Sequence, residues 1–210
     1  MRATLDWSYQ LLSEPERVIL RRLAVYAGVF RLEAASAVIA SPDIAPAEVA
    51  VGIANLIAKS LVTVAAGTTA PRCRLLDTMR AYGLEKLAES GEREWLARRH
   101  AEYYRDLFEH AEAECETRPT ADWLAEYAPK VDNLRAALDW AFSADGDSSI
   151  GVALAATSVP LWFEISSFNE CRGWIEKALG FIGCAEAGIT ARDGAAVCAW
   201  LLAYVRARNE

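Results

Sequence analysis

The stretch PAEVAVGIANLIAKSLVTVAAGTTAPRCRL, residues 46–75, carries the strongest indication of the fold. Its first half has apolar side chains at helical spacing, which predicts a helix from about Pro46 to about Lys59. The β-branched run at residues 61–64 predicts a strand, and residues 72–75 predict the return strand of a hairpin across a turn of small residues. The positions expected to be buried on the helix are Val49, Ile53, Leu56 and Ile57.

Two further helices are expected before this stretch. Ser13-Glu14-Pro15-Glu16 places a serine three residues before a glutamate, with proline in the first turn, which is typical of a capped helix start. A shorter helix is predicted over residues 32–39 and ends before Pro42. Three helices followed by a two-stranded ribbon are the element order of a winged helix. We therefore assign residues 13–75 to a winged-helix domain with a small β-hairpin.

From residue 76 onward the pattern is almost wholly helical, and the predicted fold class is mainly α. Residues 76–116 are interpreted as connecting long helices. Beyond Pro119 short turns separate further helices, which predicts α-helical hairpins packed as in a tetratricopeptide-like domain. Helical hairpins without true sequence repeats explain the pattern nearly as well. These later helices are expected near residues 120–128, 131–143, 149–164, 168–181 and 190–208.

The chain of 210 residues has 29 acidic and 22 basic side chains and a formal charge of −7. Because nucleic acids and anionic lipids are bound through clustered lysines and arginines, this excess argues against a general attraction to either. The charge is uneven: residues 1–75 hold 8 basic and 6 acidic side chains, whereas residues 76–210 hold 14 and 23. The N-terminus lacks the apolar stretch of a secretion signal, so we expect a cytoplasmic protein with no membrane contact.

The chain contains few of the residues that usually act in catalysis or bind metal ions. The five cysteines form no Cys-x-x-Cys pair and the histidines are His100 and His110, so we predict no catalytic, cofactor or metal site in this chain. Lys59-Ser60 invites comparison with the end of a phosphate-binding loop. Ala58 and Ile53 stand where that loop has glycines, and the order is helix into strand rather than strand into helix. We interpret Lys59 as a cation at the C-terminal end of a helix.

The outer face of the helix over residues 46–59 is the candidate interaction surface. In a DNA-binding winged helix the third helix enters the major groove and presents polar and cationic side chains to the bases. This face has one lysine and one glutamate, which is too little positive charge for contacts with phosphates and bases. We therefore favour an interdomain packing role over a DNA-facing one. The residues that this face is expected to expose are Glu48, Val51, Asn55 and Lys59.

One other basic cluster, Arg98-Arg99-His100 with Tyr103-Tyr104, combines cations and aromatic rings as some nucleic-acid sites do. On a helix these residues spread around the whole circumference, and acidic residues at helical spacing can pair with the arginines. We therefore predict a structural role for this cluster.

Several stretches, in order, resemble one family. The chain is similar to bacterial signal-transduction ATPases with numerous domains, the STAND class with NB-ARC-type ATPases, in the region that follows their nucleotide-binding module. The resemblance covers about residues 2–180, and its specificity lies in the order of the motifs. They are TLDWSY (4–9), LRRLAVYAGVF (20–30), NLIAKSLV (55–62), RLLDTMRAY (74–82), LEKL (84–87), RRHAEYY (98–104), DNLRAALDW (132–140) and WIEKAL (174–179).

The resemblance implies a multidomain ATP-dependent transcriptional regulator that switches between states. In that family an effector domain and an ATPase module precede the winged helix, which packs on the nucleotide-binding module and helps to hold a closed, ADP-bound state. By that order residues 1–12 would be the remnant of a preceding ATPase-associated helical segment. Residues 117–210 would be an incomplete tetratricopeptide-like sensor domain. ATP, ADP and Mg²⁺ would bind the upstream module, outside this chain.

The same resemblance implies the partners. They are the nucleotide-binding module of the parent protein or of a split-gene partner, and an inducer protein or small molecule on the helical domain. We expect a fragment, a split gene or a mis-called start rather than a free-standing module. The leading hypothesis is a regulatory and sensor part that acts by interdomain and protein–protein packing, without catalysis of its own. The alternative is an autonomous winged-helix DNA-binding regulator with a helical dimerisation domain.

Overall fold

The computed structural model describes residues 2–65 and 71–182. The chain divides into two compact units, residues 1–103 and 104–210. The described part is mainly helical with a two-stranded antiparallel hairpin, which confirms the predicted fold class. None of the helices within these two ranges is long and apolar enough to cross a membrane.

The first unit has the element order that the sequence predicts for a winged helix. Strands β1 and β2 pair in antiparallel register, with Val62 opposite Leu75, and Phe30 adds a single bridge to Cys73 of β2. Helix α6 begins in this unit and continues into the second. The elements are α1 (Arg2–Gln10), α2 (Glu14–Leu23), α3 (Leu32–Ile39), α4 (Pro46–Ala58), β1 (Val62–Ala65), β2 (Arg72–Leu75), α5 (Asp77–Glu89) and α6 (Arg93–Glu114).

Helix α2 lies at the centre of the first unit and packs against α3, α4 and α5. Its N-terminus is capped as predicted: the Glu16 carboxylate accepts hydrogen bonds from the backbone N–H and the hydroxyl of Ser13. At Gly83 of α5 an added Cβ would lie 2.9 Å from the Ala24 side chain, so α5 approaches α2 closely there. The helices thus share a dry core, whose fully buried members include Ile19, Leu20, Leu23, Ile39, Leu56 and Leu87.

The basic cluster on α6 has the structural role predicted for it. His100 is 2% exposed, its ring lies edge-on to Tyr26, and burial together with the nearby Arg80 lowers its pKa to about 3. Arg99 donates hydrogen bonds to backbone carbonyls of Ala37 and Ala40 at the end of α3. Both groups therefore join α6 to the winged helix, which makes this cluster part of the packing of the first unit.

The second unit is built around α9, which is buried on every side from Ile150 to Ser158 and packs against α8, α10 and α11. A wholly apolar helix is stable in water only when neighbours cover its entire circumference. The described elements that follow α6 are α7 (Thr120–Tyr127), a 3₁₀ turn (Ala128–Lys130), α8 (Val131–Ala141), α9 (Ser148–Thr157), α10 (Val159–Glu164) and α11 (Phe168–Ile182).

One predicted helix of the second unit is wrong in its length. The sequence pattern predicts a continuous helix over residues 149–164, but the structure breaks it at Ser158 into α9 and α10. Pro160 has no N–H for an intrahelical hydrogen bond, and it lies in the first turn of α10, where none is needed. The Ser158 hydroxyl at the break accepts a hydrogen bond from the indole N–H of buried Trp162 at 3.0 Å. The predicted helix over residues 190–208 lies outside the described residues.

Candidate functional site

Helix α4 presents the four predicted surface residues to solvent. Glu48, Val51, Asn55 and Lys59 are all exposed. The opposite side of the helix carries Val49, Gly52, Ile53 and Leu56 into the core. Val51 is 61% exposed although its side chain is wholly apolar, which makes it one of the most exposed large hydrophobic residues of the described chain. The outer face of α4 therefore combines an apolar residue with very little charge.

Glu48 caps the helix to which it belongs. Its Oε2 accepts a hydrogen bond of 2.7 Å from the backbone N–H of Ala45, at the N-terminus of α4. A carboxylate at this position offsets the partial positive charge of a helix N-terminus. The helical period predicts only that Glu48 is exposed, so this capping role was not predicted from the sequence. Proline in the first turn and glutamate at the third helical position also occur at the start of α2. Residue 45 is alanine, however, so the N-cap serine of the α2 signal has no counterpart in α4.

Lys59 is held by a buried carboxylate of α2. Its ammonium donates to both oxygens of Glu16 at 2.7 Å, and the Glu16 side chain is only 8% exposed. The hydrogen bond from Lys59 is the largest cause of the lowered pKa of the Glu16 carboxyl, followed by the bond from the Ser13 backbone. Because Glu16 and Lys59 are 43 positions apart, no local pattern predicts the pair. The one cation of the α4 face is therefore neutralised within the domain.

The backbone around Lys59 does not fit a nucleotide site. Ser60 has a left-handed backbone with φ of 59°, and its N–H donates to the carbonyl of Ile57. The N–H of Leu61 donates to the carbonyl of Leu56 at 2.9 Å. These two bonds form the Schellman ending of a helix and satisfy its last carbonyls, whereas a phosphate-binding loop precedes a helix and points free N–H groups at the ligand. Lys59 is the C-cap residue of α4, but its ammonium pairs with Glu16 and does not bind the last carbonyls of the helix.

A furrow runs between the N-terminal ends of α2 and α4. One part, about 320 Å³, is lined by Ser13, Pro15, Glu16, Ile19, Ala47, Glu48, Val51, Gly52 and Asn55. A second part, about 350 Å³, is lined by Glu14, Pro15, Val18, Arg21, Arg22, Asp43, Ile44, Glu48 and Glu92. The two parts share Pro15 and Glu48, so we treat them as one surface feature, the α2–α4 furrow.

The arginines of the furrow are engaged by Glu92, which lies just before α6. Arg21 Nε donates to Glu92 Oε2 at 2.9 Å, and Arg22 Nε donates to Oε1 at 3.0 Å. Arg22 is 5% exposed and also donates to the carbonyl of Ile39 and the hydroxyl of Ser41. Guanidinium groups held in this way keep few N–H groups for a phosphate backbone.

In residues 2–65 and 71–182 no group of three His, Cys, Asp or Glu side chains could hold a metal ion.

The fold and its surface define a winged helix-turn-helix domain. Residues 12–88, which span α2 to α5, match the family model of the winged helix-turn-helix domain. Three helices and a two-stranded wing are the elements of that domain, and they lie here in the required order.

The relatives are bacterial and much longer than this chain. The chain is 37% identical over 182 residues to proteins of Mycobacterium tuberculosis and Mycobacterium bovis that are named as HTH-type transcriptional regulators. The match covers 85% of this chain and 20% of the regulator, so the chain spans about one fifth of that relative. An uncharacterised protein of Mycobacterium tuberculosis is 46% identical over 91 residues, which are 43% of this chain and 23% of that protein. No solved structure shows significant similarity to the chain.

Proposed function

We propose that the chain is the winged-helix and helical-sensor part of a STAND-type, ATP-dependent transcriptional regulator. In this role the outer face of α4 packs on a neighbouring protein domain and does not read DNA. The nucleotide-binding module of the parent protein, or of a split-gene partner, is the proposed neighbour. ATP, ADP and Mg²⁺ bind that module, and the chain contributes packing and no catalysis. The second unit is the proposed site for an inducer protein or small molecule.

The charge state of the α4 face is the observation that carries this proposal. Lys59 is paired with Glu16 at 2.7 Å, and Glu48 places a carboxylate at the helix N-terminus. DNA contacts in this motif require cations near phosphates and donors near base edges. An acidic side chain at the N-terminus of α4 would repel the phosphates that such a terminus otherwise attracts. Exposed Val51 suits contact with a protein surface better than contact with a polar groove edge.

The affiliation with STAND regulators is supported by two further observations. The motifs quoted above occur in the family's order over about residues 2–180. The relatives named as transcriptional regulators are about five times as long as the matched segment, which leaves room for the ATPase and effector modules that the proposal requires. Sequencing the DNA upstream of the Met1 codon tests this directly. A reading frame that contains G-x-x-x-x-G-K-[ST] supports the proposal, and its absence from the neighbouring genes contradicts it.

Weak binding to DNA is the expected result for the purified chain. Fluorescence anisotropy with labelled duplex DNA should give a Kd no tighter than about 10⁻⁴ M at physiological salt, the weak end of non-specific binding. The variant Lys59→Met should bind no more weakly than the parent chain, because Lys59 is already paired with Glu16.

A groove-reading helix would behave differently. The Kd would then lie below about 10⁻⁶ M at physiological salt. Removal of one phosphate-contacting lysine would also reduce the salt slope by about one. Because Lys59→Met leaves Glu16 unpaired, the double variant Glu16→Gln/Lys59→Met serves as the control for effects that come from folding.

The second candidate function is an autonomous winged-helix DNA-binding regulator. The observation in its favour is the match to the winged helix-turn-helix model, together with the name of the regulators that are 37% identical. This function would need cations from outside the α4 face, for example from the wing that carries Arg72 and Arg74. In the structure Arg74 pairs with Asp77 at 3.1 Å. The same anisotropy measurement separates the two functions.

A further inference from the structure

The base of the α2–α4 furrow is apolar and closely packed. Ile19 and Gly52 meet there so closely that a Cβ added to Gly52 would lie 2.2 Å from Cδ1 of Ile19. Exposed Pro15 and Val51 contribute further apolar surface to the walls. Ile19 is only 1% exposed, so the apolar area that a partner can cover is that of Pro15 and Val51 on the walls. Burial of this area would stabilise the binding of a small apolar side chain.

The rim of the furrow is acidic. Glu14, Asp43 and Glu48 are exposed there, with the Glu14 side chain at 69% exposure. Arg21 and Arg22 of the same surface hold Glu92. Glu14 pairs with Arg17 at 3.5 Å and with Arg21 at 3.7 Å, so the negative charge of the rim comes mainly from Asp43 and Glu48. A partner thus meets a negative rim beside apolar walls.

The helix N-termini at the furrow are already occupied by carboxylates of the chain itself. A helix N-terminus normally attracts anions through its free N–H groups. Here the Glu16 carboxylate accepts from the N-terminus of α2, and the Glu48 carboxylate accepts from that of α4. An anionic ligand would therefore face two carboxylates at the positions where it would otherwise be bound.

We infer that the α2–α4 furrow binds a cationic amphipathic segment of a partner protein. An apolar side chain of this segment lies against Pro15 and Val51, and an arginine or lysine lies between Asp43 and Glu48. The inference rests on the proposed function, which makes the α4 face a protein-packing surface, and it adds the chemistry of the partner. Electrostatic complementarity of this kind selects the partner and orients it.

The test is a nuclear magnetic resonance titration of the full ¹⁵N-labelled chain with two synthetic peptides. Both peptides have the same apolar residues at helical spacing. One has lysine and arginine on its polar face, and the other has glutamate at those positions. The cationic peptide should shift the amides of residues 14, 16–19, 43–45 and 47–55, and its affinity should fall as salt rises.

Matched variants assign the binding to the rim. Asp43→Asn/Glu48→Gln should weaken the cationic peptide about tenfold, as expected for the loss of two partly exposed charge contacts. Glutamine keeps a side-chain oxygen for the α4 cap, so the helix start is retained. The control Glu109→Gln/Asp122→Asn changes the overall charge equally at exposed positions of the second unit, and it should leave the affinity unchanged.

Four results would overturn the inference. The acidic peptide could bind as tightly as the cationic one at the same amides, which would leave the packing role intact and remove its charge preference. The cationic peptide could shift amides outside the furrow or respond equally to both variant pairs. The furrow amides could also shift with protein concentration alone, which would assign the furrow to a second copy of the chain. The proposed function is tested separately, by the affinity for DNA and its dependence on salt. Its failure can therefore be distinguished from failure of this inference.

Discussion

Glu92→Gln is expected to lower the free energy of unfolding of the first unit by about 3 kcal/mol, because it leaves a buried guanidinium without its counter-charge. Arg22 is 5% exposed, and the Glu92 carboxylate accepts from both Arg21 and Arg22. The guanidinium of Arg22 also lies 5.3 Å from the ring centre of Trp95 on α6. One carboxylate therefore links α2 to the start of α6, and neutral glutamine cannot balance two cations.

The matched control is Glu89→Gln, close by in the sequence. Glu89 pairs with Lys86 at 2.7 Å, but its side chain is 59% exposed. Exposed pairs of this kind contribute about 0–1 kcal/mol, so this variant should unfold at nearly the same urea concentration as the parent chain. Equal urea midpoints for Glu92→Gln and Glu89→Gln would refute the role given to Glu92.

The pH dependence of the Glu92 effect has a definite sign. Burial acts to raise the pKa of its carboxyl, but the hydrogen bonds from Arg22 and Arg21 outweigh burial and lower the pKa below 4.5. A carboxyl whose pKa is lower in the folded state stabilises the fold fully above the unfolded pKa and loses that contribution as pH falls through the folded pKa. The difference between the parent chain and Glu92→Gln should therefore be largest near neutral pH and shrink below pH 4.5.

Gly146→Ala is expected to destabilise the second unit by about 3 kcal/mol. An added Cβ would lie 2.0 Å from the carbonyl oxygen of Trp140 and 2.6 Å from that of Ala141. These oxygens belong to the C-terminal end of α8, so they cannot move aside without distorting the helix. Steric crowding of a packed backbone costs this much because rigid neighbours cannot relax.

The matched control for this glycine is Gly173→Ala. Gly173 lies inside α11, and nothing is within 4 Å of a Cβ added there. Alanine in a helix interior is about 0.5–1 kcal/mol more favourable than glycine, so this variant should be stabilised. Urea unfolding, monitored through hydrogen exchange at residues 142–157, measures both changes. Equal stability of Gly146→Ala and Gly173→Ala would show that the close approach at Gly146 does not affect the free energy of unfolding.

Local sequence patterns predicted most of the elements. The capping motif at Ser13 predicted the start of α2, and the change from helical spacing to β-branched residues after Lys59 predicted the wing. Both features depend on residues close together in the chain. The break at Ser158 was missed because the helix breaker, Pro160, is also a favourable first-turn residue for the next helix.

The candidate site was predicted only in part, since pattern analysis identifies exposed positions but not their partners. Glu48, Val51, Asn55 and Lys59 are exposed as the helical period requires. That Lys59 is neutralised by Glu16, and that Glu48 is engaged at its own helix end, are facts of contact geometry. Because of these contacts, neither the Lys59 ammonium nor the Glu48 carboxylate is presented to a partner as an isolated charge.

The sequence alone predicted the order of the winged-helix elements, because helix capping and the spacing of apolar residues depend on only a few neighbouring residues. It was also sufficient for the apolar character of Val51 and the excess of acid in the chain. Tertiary packing was needed to bury Arg22 against Glu92 and to pair Lys59 with Glu16. Such pairs join positions far apart in the chain. The energy of a charge depends on its burial and on its partner, and a local sequence pattern shows neither of these.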